Sequence, residues 1–188
     1  MTEEIARGRN DALLAAEAPL LELSEGDLTA VASLWRKTGR SLRARFGGSS
    51  MEPAIPAGAL VSLRCGEAGA RGDVIAFLAG GRLVVHRIVA RAADGRWTLT
   101  RGDARILPDV PVTDPEAVLG RVTGLCRGAA VEAVAPLPGS PVQRGTARVF
   151  ATLVHLSPGA GTAVLQAMHG ALRWARTLRI QAGRAFPR

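Results

Sequence analysis

Between residues 59 and 134 the chain alternates short apolar runs with sequences that favour turns. The runs lie at 59–64, 73–79, 82–91, 96–101, 117–124 and 129–134, and Gly, Asp and Pro residues separate them. Runs of this length and spacing, most of them rich in β-branched residues, are typical of strands in an all-β domain. We therefore predict a mainly β core with a coiled, barrel-like sheet.

Two of the turn sequences predict β-hairpins. Gly80-Gly81 and Asp94-Gly95 each stand between two of the apolar runs. Glycine adopts the positive φ angles of two-residue hairpin turns without steric cost. We expect a tight antiparallel connection at each position.

Helical patterns flank the β region on both sides. They lie at 2–17 and 26–45 before it, and at 143–156 and 160–183 after a Pro- and Gly-rich linker at 136–142. In the second of these segments, apolar residues from Leu28 to Leu42 recur at helical spacing. The sequence thus predicts three segments, namely a helical segment 1–45, a β core 46–135, and a linker with C-terminal helices 136–188.

The composition restricts the partners. Hydrophobic residues make up 47% of the chain, so we expect a folded protein. The net charge of +8 comes almost entirely from scattered arginines, with Lys37 the only lysine, and few aromatic rings accompany them. This arrangement does not predict a stacking platform for nucleic acid, and no nucleic-acid partner is expected.

No stretch reaches the roughly 18–20 consecutive apolar residues that cross a bilayer. We therefore expect a cytoplasmic protein. The last predicted helix carries His169, Arg173, Arg176 and Arg179. This basic helix leaves open a peripheral contact with a membrane.

The two cysteines are isolated in the sequence. Cys65 and Cys126 form no Cys-x-x-Cys pair, so neither a zinc site nor a disulfide framework is expected. Both fall in predicted strand regions, where a free cysteine usually serves as a small core residue. The sequence predicts no metal and no cofactor.

One serine stands in a setting suited to nucleophilic chemistry. Ser50 follows Gly47, Gly48 and Ser49 in a turn that leads towards the first run of the β region. Such a turn can present a hydroxyl at the edge of a sheet, and neighbouring glycines let backbone N–H groups approach a developing oxyanion. Residues 48–50 are therefore the predicted oxyanion turn.

A serine hydroxyl needs a base to take its proton. Lys37 lies in a predicted exposed helix, which makes it an unsuitable base. His86 lies inside an apolar strand-like run, whereas His155 and His169 fall on the predicted C-terminal helices. We therefore predict His86 as the base, and the other two histidines as helix-face residues.

An acid must hold the imidazole of such a base in the correct tautomer. Asp103 and Asp109 both follow the predicted strand at 96–101 and both stand in turn-like sequence. Either one can reach the histidine in principle. From the residues alone the choice between them stays open.

The motifs resemble those of the signal-peptidase/LexA superfamily of serine peptidases. GSSMEPAIPAG at 48–58 is similar to the nucleophile box of that family, and GDVIAF at 72–77 to the strand that follows it. VVHRIV at 84–89 resembles the base box of the endoplasmic-reticulum-type type I signal peptidases, which use histidine instead of lysine. TRGDARILPD at 100–109 is similar to their acid box, and the run at 118–122 to their closing strand.

The resemblance implies a fold and a set of roles. Ser50 is implied as nucleophile, His86 as base and Asp109 as the third member, with Asp103 as a nearby supporting acid. Met51 and Pro53 are implied to shape the turn and a wall that faces the substrate. The implied activity is that of a serine endopeptidase that cleaves a peptide or protein substrate.

The sequence differs from the family pattern at three points. Gly48 stands where many signal peptidases have a serine, and Ala59 stands where an aspartate usually follows Gly58. No apolar span long enough to cross a bilayer precedes Ser50, and that segment is charged instead.

Two alternatives of other classes remain. A LexA-like regulator that cleaves itself carries an Ala-Gly or Cys-Gly bond before the serine, and neither dipeptide occurs in residues 1–49. So short a segment also leaves little room for a DNA-binding domain. The second alternative is a non-catalytic peptide-binding or membrane-associated module of the same fold, with which Gly48, Ala59 and the basic C-terminal helix are compatible.

Overall fold

The computed structural model describes residues 30, 33–37 and 39–185. Its centre is a seven-stranded antiparallel sheet in the order β1-β2-β6-β3-β4-β5, with β7 paired to β6. The strands are β1 (Ser41–Arg45), β2 (Leu60–Cys65), β3 (Val74–Ala79), β4 (Arg82–Arg91), β5 (Thr98–Arg101), β6 (Val118–Arg127) and β7 (Ala130–Glu132). The predicted β core with a helical C-terminal flank is confirmed, and the sheet is open, with β1 and β5 at its edges.

The β3–β4 connection is the predicted two-residue hairpin. Ala79 pairs with Arg82, and Gly80 and Gly81 both have positive φ, at 53° and 69°. The second predicted hairpin is longer than two residues. There the Ala92 amide donates to the Trp97 carbonyl, and Gly95, with φ 74°, closes a turn back to Ala92. The sequence located this turn correctly but not its length.

The predicted helix over 26–45 is wrong in its last part. Residues 30 and 33–37 are helical, but Gly39 has a positive φ of 59° and residues 41–45 form strand β1. Leu42 and Ala44 pack against the core while Ser41, Arg43 and Arg45 are exposed, which is the alternation of a strand. Pairing with β2 supplies the backbone hydrogen bonds that a helix would have made. The predicted helix over 2–17 lies outside the described residues.

Two helices follow the sheet. They are α1 (Pro141–Leu156) and α2 (Pro158–Ala185), each beginning two residues before its predicted start. Ser140 caps α1 in a capping box, in which its side chain accepts from the Gln143 amide and the Gln143 side chain accepts from the Ser140 amide. None of the described helices is long and apolar enough to cross a membrane.

One apolar cluster forms the core of the sheet, and another places the helices beside it. The larger one contains Met51, Ile55, Leu63, Val85 and Leu119 and lies among strands β2, β3, β4 and β6. The other joins the helices to β5 and contains Trp97, Leu99, Phe150, Val154 and Leu165. Full burial of such side chains stabilises the fold by about 1.5–3 kcal/mol each. The helical hairpin is therefore fixed beside the loop that follows β5.

Central strand β6 allows no side chain at Gly120. A Cβ there would collide with the Arg64 carbonyl and lie 2.8 Å from the Cys65 Cα, and both atoms belong to the backbone of β2. We predict that Gly120→Ala lowers the free energy of unfolding by about 1–3 kcal/mol, because the paired strands must move apart. Chemical denaturation followed by circular dichroism measures the change.

Gly145→Ala is the matched control. Gly145 lies inside α1 and a Cβ there meets nothing within 4 Å. This substitution should raise the free energy of unfolding by about 0.5–1 kcal/mol, as expected for a helix interior. Equal effects of the two substitutions would contradict the steric argument.

Candidate active site

The turn that carries Ser50 is held at both ends by the strands it connects. The Phe46 amide donates to the Ala59 carbonyl at 2.8 Å, and the Gly58 amide donates to the Phe46 carbonyl at 2.7 Å. Met51 and Ile55 are fully buried beneath the turn, and the Ile55 amide donates to the Met51 carbonyl. Ser50, next to Met51, remains partly exposed. The turn therefore presents this hydroxyl from a fixed backbone.

His86 lies in the middle of β4. Because side chains alternate along a strand, His86 and its neighbour Arg87 point to opposite faces of the sheet. The imidazole meets the buried Phe77 ring edge-on, with ring centroids 6.3 Å apart. Only 11% of the His86 side chain is exposed, so its position is set by packing as well as by hydrogen bonds.

Ser50, His86 and Asp109 form one continuous hydrogen-bonded group, which we call the triad. Ser50 Oγ lies 2.9 Å from His86 Nε2, and His86 Nδ1 lies 2.6 Å from Asp109 Oδ2. An ionised carboxylate can only accept, so Nδ1–H donates to Asp109. In the neutral imidazole Nε2 is then an acceptor, and it faces the serine hydroxyl.

Asp109 is held in place by Thr100. The Thr100 hydroxyl donates to Asp109 Oδ2 at 2.7 Å, and the Asp109 amide donates to the Thr100 carbonyl at 2.8 Å. Thr100 is fully buried on β5. These two hydrogen bonds to a buried strand residue fix the position of the Asp109 carboxylate, which faces His86.

Asp103, the other candidate acid, has a different partner. Its two carboxylate oxygens accept from Arg87 Nε at 2.9 Å and Arg87 Nη2 at 2.7 Å. Both side chains are almost completely buried, with exposures of 2% and 6%. Arg87 also donates to the carbonyls of Gly72 and Ala135. The structure therefore brings Asp109 to His86, and gives Asp103 a bidentate ion pair that links separate parts of the chain.

A second buried cation lies nearby. Arg101 is 4% exposed and donates through Nη1 to the Gln143 carbonyl at 2.8 Å. Burial lowers the pKa of its guanidinium, Asp103 opposes that change, and the neighbouring Arg87 adds to it. The positive charges of Arg87 and Arg101 thus balance the negative charges of Asp103 and Asp109.

Gly102 permits the close approach of the serine turn to the loop after β5. A Cβ at this position would lie 2.6 Å from the Ser50 carbonyl oxygen and 3.0 Å from His86 Nε2. The Ala104 amide donates to the Ser50 carbonyl at 2.9 Å. Any larger residue at 102 would therefore push into the space where the serine and histidine meet.

The C-terminal helices hold the loop between Gly102 and Asp109. The Gln143 side-chain amide donates to the carbonyls of Asp103 at 3.0 Å and Arg105 at 2.7 Å. The Thr146 hydroxyl donates to the Ile106 carbonyl. His169 Nε2 donates to the Pro108 carbonyl at 2.8 Å, directly before Asp109.

These contacts were not predicted from the sequence. The sequence predicts His169 as a helix-face residue, and the structure corrects this prediction, because His169 is partly buried and donates to the Pro108 carbonyl. His155 is exposed on α1, as predicted. For Gln143, the sequence signal nearest to its role in holding the loop is its place in the Ser140 capping box. No sequence pattern identifies the carbonyls on which these side chains act.

The backbone of the serine turn offers the candidate oxyanion donors. The Ser50 amide makes no backbone hydrogen bond to another described residue. Gly48 is exposed, and a Cβ there would meet only the Phe46 ring, at 3.3 Å. Ser49 is exposed and its carbonyl accepts from the Glu52 amide.

The predicted substrate-facing wall needs a correction. Met51 is 0% exposed and belongs to the main core cluster, so its side chain cannot touch a substrate. It stabilises the turn from below instead. Pro53 is exposed and remains available on the surface.

The remaining candidate groups lie apart from this chemistry. Cys65 is buried, and burial raises the pKa of its thiol, which disfavours the nucleophilic thiolate. Cys126 is partly buried, and Lys37 is exposed on the helical segment 33–37. Within the described part of the chain, no group of three or more His, Cys, Asp or Glu side chains is arranged to hold a metal ion.

No model of a protein family matches the chain, and no curated protein sequence matches it.

Proposed function

We propose that the protein is a serine endopeptidase that cleaves a peptide or protein precursor. Ser50 is the nucleophile, His86 the general base and Asp109 the acid that orients His86. The observation that carries the proposal is the unbroken chain from Ser50 Oγ through both imidazole nitrogens to Asp109 Oδ2, at 2.9 Å and 2.6 Å. Nucleophile, base and orienting acid within hydrogen-bond reach are the geometric signature of such chemistry.

The proposed mechanism uses the groups in that order. His86 Nε2 takes the hydroxyl proton as Ser50 Oγ attacks the scissile carbonyl, and Asp109 stabilises the imidazolium that forms. The tetrahedral oxyanion accepts hydrogen bonds from the Ser50 amide and from other backbone N–H groups of the glycine turn. His86 then gives the proton to the leaving amine, and water hydrolyses the acyl-enzyme by the same steps.

The position of β1 at the edge of the sheet is an argument that the substrate is a polypeptide. This strand pairs with β2 on one side, and no other strand of the described residues pairs with it on the other side. An extended peptide can add to such an edge through main-chain hydrogen bonds. Residues 46–49 lead from the end of β1 to Ser50, so a peptide bound along β1 continues towards the nucleophile. The motif resemblance to the signal-peptidase/LexA superfamily points to the same class of reaction.

The first prediction about catalysis concerns Ser50 and its neighbour Ser49. Ser50→Ala removes the nucleophile, so cleavage of a peptide library should fall by about 10⁴-fold or more. Intact-mass spectrometry should also show that a fluorophosphonate probe no longer labels the protein. Ser49→Ala is the matched control, because the exposed Ser49 side chain lies outside the triad and alanine keeps the backbone N–H of the oxyanion turn. Labelling that survives Ser50→Ala, or is lost with Ser49→Ala, would disprove the assignment.

The second prediction separates the two aspartates. Asp109→Asn should lower the rate of probe labelling at Ser50 by about 10⁴-fold with little loss of stability, because an amide no longer selects the catalytic tautomer of His86. Asp103→Asn should instead lower the free energy of unfolding by about 3–5 kcal/mol, because Arg87 is left buried without its anion. Probe-labelling rates and urea denaturation measure the two effects. The opposite pattern would mean that Asp103 acts on the histidine.

The third prediction concerns the helices that hold the catalytic loop. His169→Ala should lower the labelling rate at saturating probe by about tenfold, because a shift of the Pro108 carbonyl moves Asp109 away from its productive position. His169→Gln keeps a donor at this site and should restore most of the rate. His155→Ala, on the exposed face of α1, is the control and should leave the rate unchanged. Equal rates for His169→Ala and His155→Ala would show that His169 does not position the loop.

A further inference from the structure

Helix α1 has a second apolar face that the core does not use. Phe150 and Val154 pack against the sheet side of the molecule. Four other apolar side chains are between 37% and 75% exposed, namely Val142, Val149, Leu153 and Leu156. Their spacing of seven, four and three residues places them in one narrow stripe along the helix. The stripe therefore lies on the protein surface and is not part of the described core.

Helix α2 repeats the pattern. Leu165 is fully buried, while Val164, Met168 and Leu172 are exposed at a spacing of four residues. Trp174 is also 68% exposed, but it lies two residues after Leu172 and therefore outside this stripe. An exposed tryptophan has a large apolar ring and one polar N–H, a combination suited to the boundary between water and lipid.

The exposed apolar surface extends to the loop that carries Asp109. Ile106 in that loop is 60% exposed, and its carbonyl accepts from the Thr146 hydroxyl. Thr146 lies four residues after Val142 and three before Val149, so it borders the stripe on α1. The stripe and Ile106 therefore form neighbouring parts of one surface.

The charge of this region is entirely positive. Residues 133–188 contain seven arginines and neither aspartate nor glutamate. Arg148 and Arg173 are exposed on α1 and α2. A second copy of the chain would bring the same arginines face to face in a two-fold contact, which opposes self-association through this face. An anionic lipid surface complements both the positive charge and the apolar side chains.

We propose that α1 and α2 dock the protein on an anionic membrane surface. The apolar stripes enter the boundary between headgroups and acyl chains, and the arginines contact lipid phosphates. The docking would place the loop from Gly102 to Asp109 at the membrane. This inference goes beyond the proposed peptidase activity and does not depend on it.

Co-sedimentation of the full chain with lipid vesicles tests the proposal. Vesicles of equal parts phosphatidylcholine and phosphatidylglycerol should bind the protein, whereas phosphatidylcholine alone should bind it weakly. The double variant Leu153→Glu/Leu156→Glu should lower partitioning by about tenfold or more, because two apolar side chains lose their transfer into lipid. Circular dichroism checks that this variant is folded.

Matched variants elsewhere on the surface serve as controls. Val131→Glu changes an exposed apolar residue on β7 and should leave partitioning unchanged. Arg148→Gln/Arg173→Gln should weaken binding more than Arg71→Gln/Arg82→Gln, which removes exposed arginines of the β region.

Three results would overturn the proposal. One is failure of the unmodified chain to bind the anionic vesicles. Another is an equal loss of binding in the control variants. The third is an oligomer, measured by light scattering, that Leu153→Glu/Leu156→Glu converts to a monomer, because a second copy would then cover the stripe.

Discussion

Strand β6 is the element that joins the two halves of the sheet. It follows β5 in the chain, yet it pairs with β2 on one side and with β3 on the other. Ser50 precedes β2 and His86 lies on β4, so the pairing of β6 sets the separation between the two halves that carry them. All these pairings join residues distant in the sequence. The site is therefore a product of the complete sheet, and no local segment can form it alone.

The curvature of the sheet brings the loops at its two edges into contact. Ser50 follows the edge strand β1, and Ala104 follows the opposite edge strand β5, yet the Ala104 amide donates to the Ser50 carbonyl. A flat sheet with this strand order would hold its two edges about 24 Å apart at the normal strand spacing. The contact between the two loops indicates that the open sheet coils strongly, in the sense expected from the twist of its strands. Serine and histidine meet because of that coiling.

A sequence shows the periodicity of apolar residues and any residue that interrupts it. The features of this protein that depend on such periodicity could therefore be predicted. The strand at 82–91 and the histidine within it were evident because a polar ring interrupts an apolar run. The strand at 41–45 was missed, since Leu42 also fits helical spacing and only the partner strand decides the matter. The choice between the two candidate aspartates depends on which face of β4 each one meets. The role of His169 depends on a backbone carbonyl, and such contacts have no signature in sequence.

Gln143 connects the first turn of helix α1 to the loop that carries Asp109. The same side chain caps the helix at Ser140 and holds the loop through the carbonyls of Asp103 and Arg105. Synthesis proceeds from the N-terminus, so the ribosome releases the β strands before it releases this helix. The loop between Gly102 and Asp109 therefore acquires its two bonds from Gln143 only after every strand of the sheet has been synthesised.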